Sequence, residues 1–424
     1  MIDEENTNRH VSPSLTASIP RFIFQLLENP IIWIVSGGTI LISQTLFFIR
    51  SQMVNHDVAG ILYQAQEVAR GAVIYRDFSD LNPPLFTWVH LPPVWLADFL
   101  GIPFITSFYI YFAMVIVLCL AMCGMYLKYL YVDDAPVIRF FILLGTLGLS
   151  VFVFQGTILP PKYFSFGHRE HFIVLFILPY LLGAAVEASG KRVNHVLTSA
   201  TGLLAAISLA LKPYYLVLWL LVEGYLSIIK RDPRSWLRPQ NFIIGLTLFF
   251  YGLAVILFWP DYFKFVDWVL RYYGSYEATT AKMLDLVLKI VVLFGLPTVV
   301  LVFFLAAKKD ASLCHILLLA ALAAILVFYY QKKGWHYQLY PIYCFLGVIF
   351  FVTVGRWLVS RPGVWGLALM TGFLILFPVW SVSKWSQPPP INREAKAVAR
   401  YIKPYAQGQY IYVFAFHVFE VFPL

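Results

Sequence analysis

The sequence predicts an all-α polytopic membrane protein, and three observations carry that prediction. Of the 424 residues, 60% are hydrophobic and only 12% are charged, whereas a soluble globule carries about 25% charged residues. The mean hydropathy is +0.75. Apolar stretches able to cross a hydrocarbon core of about 30 Å, which takes roughly 20 helical residues, recur along nearly the whole chain.

The chain divides into a polar segment over 1–30, a transmembrane domain over 31–382 and a tail over 383–424. The opening MIDEENTNRHVSPSLTASIP is polar and mixed in charge, with no basic start leading into a short apolar core, so no signal peptide is expected. Eleven transmembrane helices are predicted, at 31–50, 105–127, 139–157, 172–188, 196–212, 214–229, 241–259, 286–306, 313–330, 340–355 and 364–382. Almost nothing separates the pair that meets at Lys212 and Pro213.

Short cytoplasmic loops collect Lys and Arg, and the loops at 128–139, 188–196, 230–240, 307–312 and 356–363 are more than twice as rich in them as the opposite loops and tail. That places the N-terminus in the cytoplasm, and an odd number of crossings places the tail outside. The same bias accounts for much of the net charge of +9: the excess faces anionic lipid, so a basic pI does not imply nucleic acid. Cys119, Cys123, Cys314 and Cys344 all fall within predicted spans, where they serve as packing residues rather than as a disulfide framework.

The first outer loop, 51–104, is the longest connection before the tail and holds an early cluster of ionisable groups. Val58, Ile61, Leu62, Ala65, Val68 and Ala69 recur at helical spacing, with Gln64, Gln66, Glu67 and Arg70 opposite them and Gly71 as the stop. This predicts a short amphipathic helix lying in the outer membrane interface. Asp57 stands at its start. Its plain reading is a helix N-cap; the functional one is a carboxylate at the mouth of the first span. The following AVIYRDFSDLNPPL is turn-rich and carries Arg76, Asp77 and Asp80, with Pro83 and Pro84 stiffening the return to the bilayer.

Three further outer clusters carry charge. In PPKYFSFGHREHF, His168, Arg169, Glu170 and His171 open a helix; two histidines three apart lack the further ligands that a zinc site needs, so charged-headgroup recognition or interfacial anchoring explains them better. Lys212 ends the apolar run GLLAAISLAL. A lysine at mid-bilayer costs about 2.5 to 3.5 kcal/mol on insertion scales, so it must snorkel to the outer mouth or face a polar cavity. In YYQKKGWHYQLYP, Lys332, Lys333 and His336 stand among aromatics. Aromatic belts look like this, but paired outer lysines oppose the positive-inside trend and favour an anionic ligand. An acidic outer loop and several basic outer mouths together suit a ligand with a lipid tail, a phosphate and a polar group to be transferred.

At these residues the sequence resembles the GT-C superfamily of membrane glycosyltransferases, in the branch of the dolichyl-phosphate-mannose protein mannosyltransferases and the bacterial lipid A aminoarabinose transferases. The resemblance covers about 30–400 and rests on the position of His56 and Asp57 after the first span, and on the ordered blocks YRDFSDLNPPL, FGHREHF, LKPYYLVLWLLVE and KGWHYQLYP. It implies a polyprenyl-phosphate-linked sugar donor, a reaction on the outer face of the bacterial cytoplasmic membrane, usually inversion at the anomeric carbon, and a glycan, lipid or protein acceptor. Asp57 would be the general base that deprotonates the acceptor hydroxyl. Arg169, Lys212, Lys332, Lys333 and His336 would meet the donor phosphate. Asp77, Asp80 and Glu170 would be acceptor or metal candidates, a divalent cation being left open. The paired acidic motif of the protein mannosyltransferases has no obvious counterpart here.

No glycine-rich phosphate loop is visible and the inner loops are short, which favours a lipid-linked over a nucleotide donor. The alternatives are a polysaccharide ligase or polymerase with a lipid-linked donor, and a transporter or flippase for a lipid-linked sugar. Against transport, no internal repeat is visible, and the only acidic residues in the predicted spans, Glu187 and Glu223, lie towards cytoplasmic ends. In the tail, SQPPP, the basic helical REAKAVARYIKPY and the strand-like QYIYVFAFHVF look like the start of a small outer domain.

Overall fold

The computed structural model describes residues 25–51, 54–78, 80, 82–152, 166–272, 277–305, 310–360, 364–386, 411–412 and 421–422. Over these the chain is helical, apart from an antiparallel pairing of Ile411–Tyr412 with Val421–Phe422. Among the described residues six helices are long and apolar enough to cross a membrane: Pro30–Ser51 (α1), Phe104–Leu130 (α5), Arg169–Ala188 (α7), Pro239–Phe258 (α10), Ala311–Gln331 (α14), and the span His336–Val359, which lies mostly on the helix Tyr340–Ser360 (α15). Three shorter apolar stretches join them: Pro136–Val151 within the helix Pro136–Phe152 (α6), His195–Leu211 (α8) and Ala368–Ser383 within the helix Val364–Ser386 (α16). Leu216–Lys230 (α9) follows α8 closely, and the expected span at 286–306 is broken, with Thr280–Ile290 (α12) passing through a π-helical turn at Val291–Gly295 into Leu296–Leu305 (α13). An amphipathic helix, Asp261–Tyr272 (α11), connects α10 to this segment. The N-terminal segment, the end of the predicted span at 153–157 and most of the tail, including REAKAVARYIKPY, lie outside the described residues.

α7 is the centre of the bundle. Every residue from Glu170 to Val186 is buried, as expected of a helix that is apolar all round and wrapped by others; α5, α8, α9, α14 and α15 all pack on it. Since lipid tails are as apolar as leucine, polar contacts and close packing must hold such helices together. Ser43 and Gln44 of α1 bind Ser381 of α16. Tyr126 of α5 hydrogen-bonds Thr201 of α8 at 2.8 Å, and Gln240 of α10 donates to the same hydroxyl at 3.1 Å.

The amphipathic helix predicted within 51–104 is present as His56–Ala69 (α2). Gly71 stops it as expected: at φ 101° it leaves Ala72 N–H to reach Glu67 C=O at 2.9 Å and its own N–H to reach Val68 C=O at 3.0 Å, the paired bonds of a Schellman turn. Two expectations need correction. Asp57 is not the N-cap; Asn55 is, its side-chain oxygen accepting from Asp57 N–H at 2.9 Å. The apolar face is also not left for lipid, because Val58, Ile61, Leu62 and Ala65 are buried in the protein core. The returning chain, Pro84–Trp88 (α3) and Leu91–Leu100 (α4), packs against that face.

Candidate functional site

The N-terminus of α7 gathers the site. Gly167 takes φ 75°, and a Cβ there would lie 2.4 Å from Phe108 Cζ, so only glycine allows this turn against the Phe108 ring. His168 follows as the N-cap in extended conformation, and its imidazole makes no capping bond. It is turned instead between two carboxylates: Nε2 lies 3.1 Å from Asp57 Oδ2 and Nδ1 lies 2.5 Å from Glu170 Oε2. Glu170, in the first turn of α7 where the helix dipole favours an anion, passes its other oxygen to Lys212 Nζ.

Lys212 reaches this position for a local reason. The residue before proline is pushed out of the α region, so Pro213 ends α8 and leaves Lys212 extended at φ −152° and ψ 90°. Its side chain is only 3% exposed. It does not snorkel; its ammonium is committed to Glu170.

The result is a chain of alternating charge, Asp57–His168–Glu170–Lys212, drawn from α2, the start of α7 and the end of α8. The side-chain exposures are 38% for Asp57, 3% for His168 and 1% for Glu170, so the chain runs from deep in the bundle to a carboxylate that meets the surroundings. Tyr337 lies over the imidazole at 3.9 Å between ring centroids. Burial pulls the His168 pKa down, but the Glu170 and Asp57 carboxylates outweigh it and raise it above the ordinary value.

Arg169 points to a different neighbour. Its Nη1 donates to Asn82 Oδ1 at 2.5 Å and its guanidinium lies 5.6 Å from the centre of the Phe86 ring. Its Nε is buried with no hydrogen-bond partner among the described residues. Asn82 is fixed by Asp80, whose Oδ1 accepts from both its backbone and side-chain N–H at 3.0 Å. Asp80 thus enters the site indirectly, through Asn82 and Arg169. Asp77 is exposed and bound locally, accepting from Val73 N–H at 2.7 Å and from Arg76; the Arg76 hydrogen bond holds its carboxyl below the usual range.

In the third basic cluster, the cation of Lys332 meets an acidic residue outside the charged chain. Lys332 is exposed, with φ 52° at the end of α14, and lies 3.6 Å from Glu277. Its carbonyl accepts from Ala278 N–H at 2.7 Å, and burial together with the charges of Lys282 and Lys289 lowers the His336 pKa. Lys333 lies beside them in sequence. This segment reaches the centre of the site through Tyr337, whose ring lies on His168.

Among the described residues, no group of three His, Cys, Asp or Glu side chains is placed to hold a metal ion. His168 has a carboxylate on each ring nitrogen, so the three groups do not converge on one point. His171 faces elsewhere, among Phe112, Phe166 and Tyr340. The sequence reading missed the bridging role of His168 and the parts played by Asn82 and Tyr337. A signal existed only for His168, which stands two residues from Glu170 at a helix start. No protein-family model, curated protein or solved structure matches the chain.

Proposed function

We propose that the protein is a multi-pass integral membrane glycosyltransferase that moves a sugar from a polyprenyl-phosphate donor to an acceptor on the outer face of the cytoplasmic membrane. In this reading the chain crosses the bilayer eleven times with its N-terminus inside. The observation that carries the reading is the buried charge chain ending on Asp57, with Arg169 at the same helix start. Asp57 takes the proton of the acceptor hydroxyl as that oxygen attacks the anomeric carbon, the use for which a positioned carboxylate is suited. The bond from the sugar to the phosphate oxygen breaks, and Arg169 stabilises the charge left on the phosphate. Lys332, Lys333 and His336 are the outer cations available to the lipid-phosphate as it approaches.

The test is direct. Purified protein in lipid is given polyprenyl-phosphate monosaccharides, and consumption of the donor is followed by mass spectrometry. Consumption of only a diphosphate-linked oligosaccharide would move the protein to the ligase or polymerase class. Transbilayer movement of the intact donor, with no cleavage, would make it a flippase.

A further inference from the structure

A carboxylate that takes a proton from an alcohol must itself be ionised and aimed, and the environment of Asp57 works against the first requirement. Its side chain is more than half covered, and burial favours the neutral acid. Among the described contacts, the His168 imidazole opposes this, and its geometry is set from behind.

Glu170 is held by the buried Lys212 ammonium, and an ionised carboxylate can only accept hydrogen bonds. The 2.5 Å contact at Nδ1 therefore requires an N–H there, which fixes the ring orientation and leaves Nε2 facing Asp57 Oδ2 at 3.1 Å. Tyr337 covers one face of the ring, and the Phe86 ring lies 6.4 Å away. No rotation of the imidazole keeps both carboxylates in contact, so its position is over-determined.

Resting on the glycosyltransferase reading, we propose that His168 is a positioning residue: fixed by Glu170 and Lys212, it holds the Asp57 carboxylate ionised and directed at the acceptor hydroxyl. In the transfer step the acceptor proton goes to Asp57. His168 keeps its Nε2 proton throughout, and Glu170 keeps the imidazolium paired while Asp57 is neutral.

Several charged and titratable groups among the described residues surround His168. Asp57 faces it from α2, Glu170 from α7, and Lys212 stands behind Glu170. Arg169 and His171 adjoin it on α7. His90, between α3 and α4, is pulled down to about 4 by burial and so stays neutral. The Tyr337 hydroxyl belongs to the segment before α15.

The test uses the full-length protein in detergent or vesicles and a hydrophobic carbodiimide, which modifies carboxyl groups in their protonated form. Labelling of the peptide that contains Asp57 is followed against pH by mass spectrometry, with Asp57→Asn as the blank. In His168→Gln the labelling midpoint should rise by about 1 to 3 pH units, the effect of losing an opposite charge at this range. The acid limb of the transfer rate should rise with it, with a fall in kcat and little change in the donor KM. His168→Asn is the second variant: its amide can still meet Glu170 but falls short of Asp57, and the same rise is expected.

An unmoved midpoint in either folded variant overturns the proposal, even if transfer is slowed. If the midpoint moves but no polyprenyl-phosphate sugar is ever consumed, the coupling stands and the glycosyltransferase reading falls. If transfer is found and the midpoint stays put, the reverse holds.

Discussion

At its C-terminal end α7 meets a second set of ion pairs, and the contrast with its N-terminal end is instructive. Glu187 is gripped by Lys230 and by Arg238, both at 2.6 Å. Arg238 also binds Glu223, which takes a further hydrogen bond from Tyr180. A neighbouring clamp has Arg356 held by Asp134 at 2.5 and 3.0 Å and by Asp310 at 2.9 and 3.1 Å. Every cation in these sets is Arg or Lys, which keep their charge across the neutral range. The N-terminal set puts a histidine in the middle and a partly exposed carboxylate at its end. One end of α7 is an electrostatic lock, and the other is a line of groups that includes a histidine whose pKa, despite burial, is raised by its carboxylate neighbours and a carboxylate that is partly exposed.

The sharpest way to break this comparison is at the locked end. Arg238→Met leaves Glu223, 0% exposed, facing Tyr180 without its cation. Removing one partner of a buried pair costs about 3 to 5 kcal/mol, so a large loss of thermal stability in detergent and of folded yield is expected. A variant as stable as the parent would show that the pairs at that end are not a lock.

At the other end the largest effect should be on rate. Asp57→Asn keeps the shape and removes the base, so turnover should fall by at least roughly a hundredfold. Because Asn55 and not Asp57 caps α2, the cap survives; what is lost is the charge contact with His168, so stability should fall by about 1 to 2 kcal/mol, the low end of that coupling because solvent screens the partly exposed carboxylate. Near-normal transfer would return Asp57 to a structural role. A large stability loss would place it with the locked set.

Lys212→Met probes the depth of the chain. Glu170 loses one partner but keeps His168, so the cost should be smaller than for Arg238→Met, about 1 to 3 kcal/mol. A thermal shift equal to that of Arg238→Met would erase the distinction between the two ends.

The pH dependence of stability sharpens it further. The His168 pKa is raised above its ordinary 6.5 by Glu170 and Asp57 against the effect of burial. Its charged form is therefore bound more tightly in the folded state. That stabilisation is complete below 6.5 and is lost as pH rises through the folded-state value. Stability measured from pH 6 upward should decline in the parent more than in His168→Gln, while Arg238→Met should keep the parent's slope. The smallest effect is local: Asn55→Ala removes a cap worth about 1 kcal/mol and should leave both ion-pair sets intact.

Much of the architecture was legible beforehand. Among the described residues the chain is helical, with six long and three shorter apolar helices, as the recurring apolar stretches predicted. The turn chemistry was also local: Gly71 stops α2, and Pro213 breaks the chain at Lys212. Less of the site was visible. Lys212 stands out in sequence as a cation in an apolar run, and its charge suggests an anionic ligand; in the fold that charge already has an anion, Glu170. Asp57 looks like a cap because Asp caps well, but Asn55 two residues earlier takes the role.

What the sequence determined by itself is what depends on neighbours along the chain: where apolar runs are long enough to leave water, where loops gather positive charge, and where Gly and Pro end helices. The tertiary structure alone decided which charges meet. Asp57 and His168 are 111 residues apart, and Glu170 and Lys212 are 42 apart. An ionic contact pays back its desolvation only at hydrogen-bond distance in the buried interior, and that distance is set by how α2, α7 and α8 pack, which no local pattern encodes.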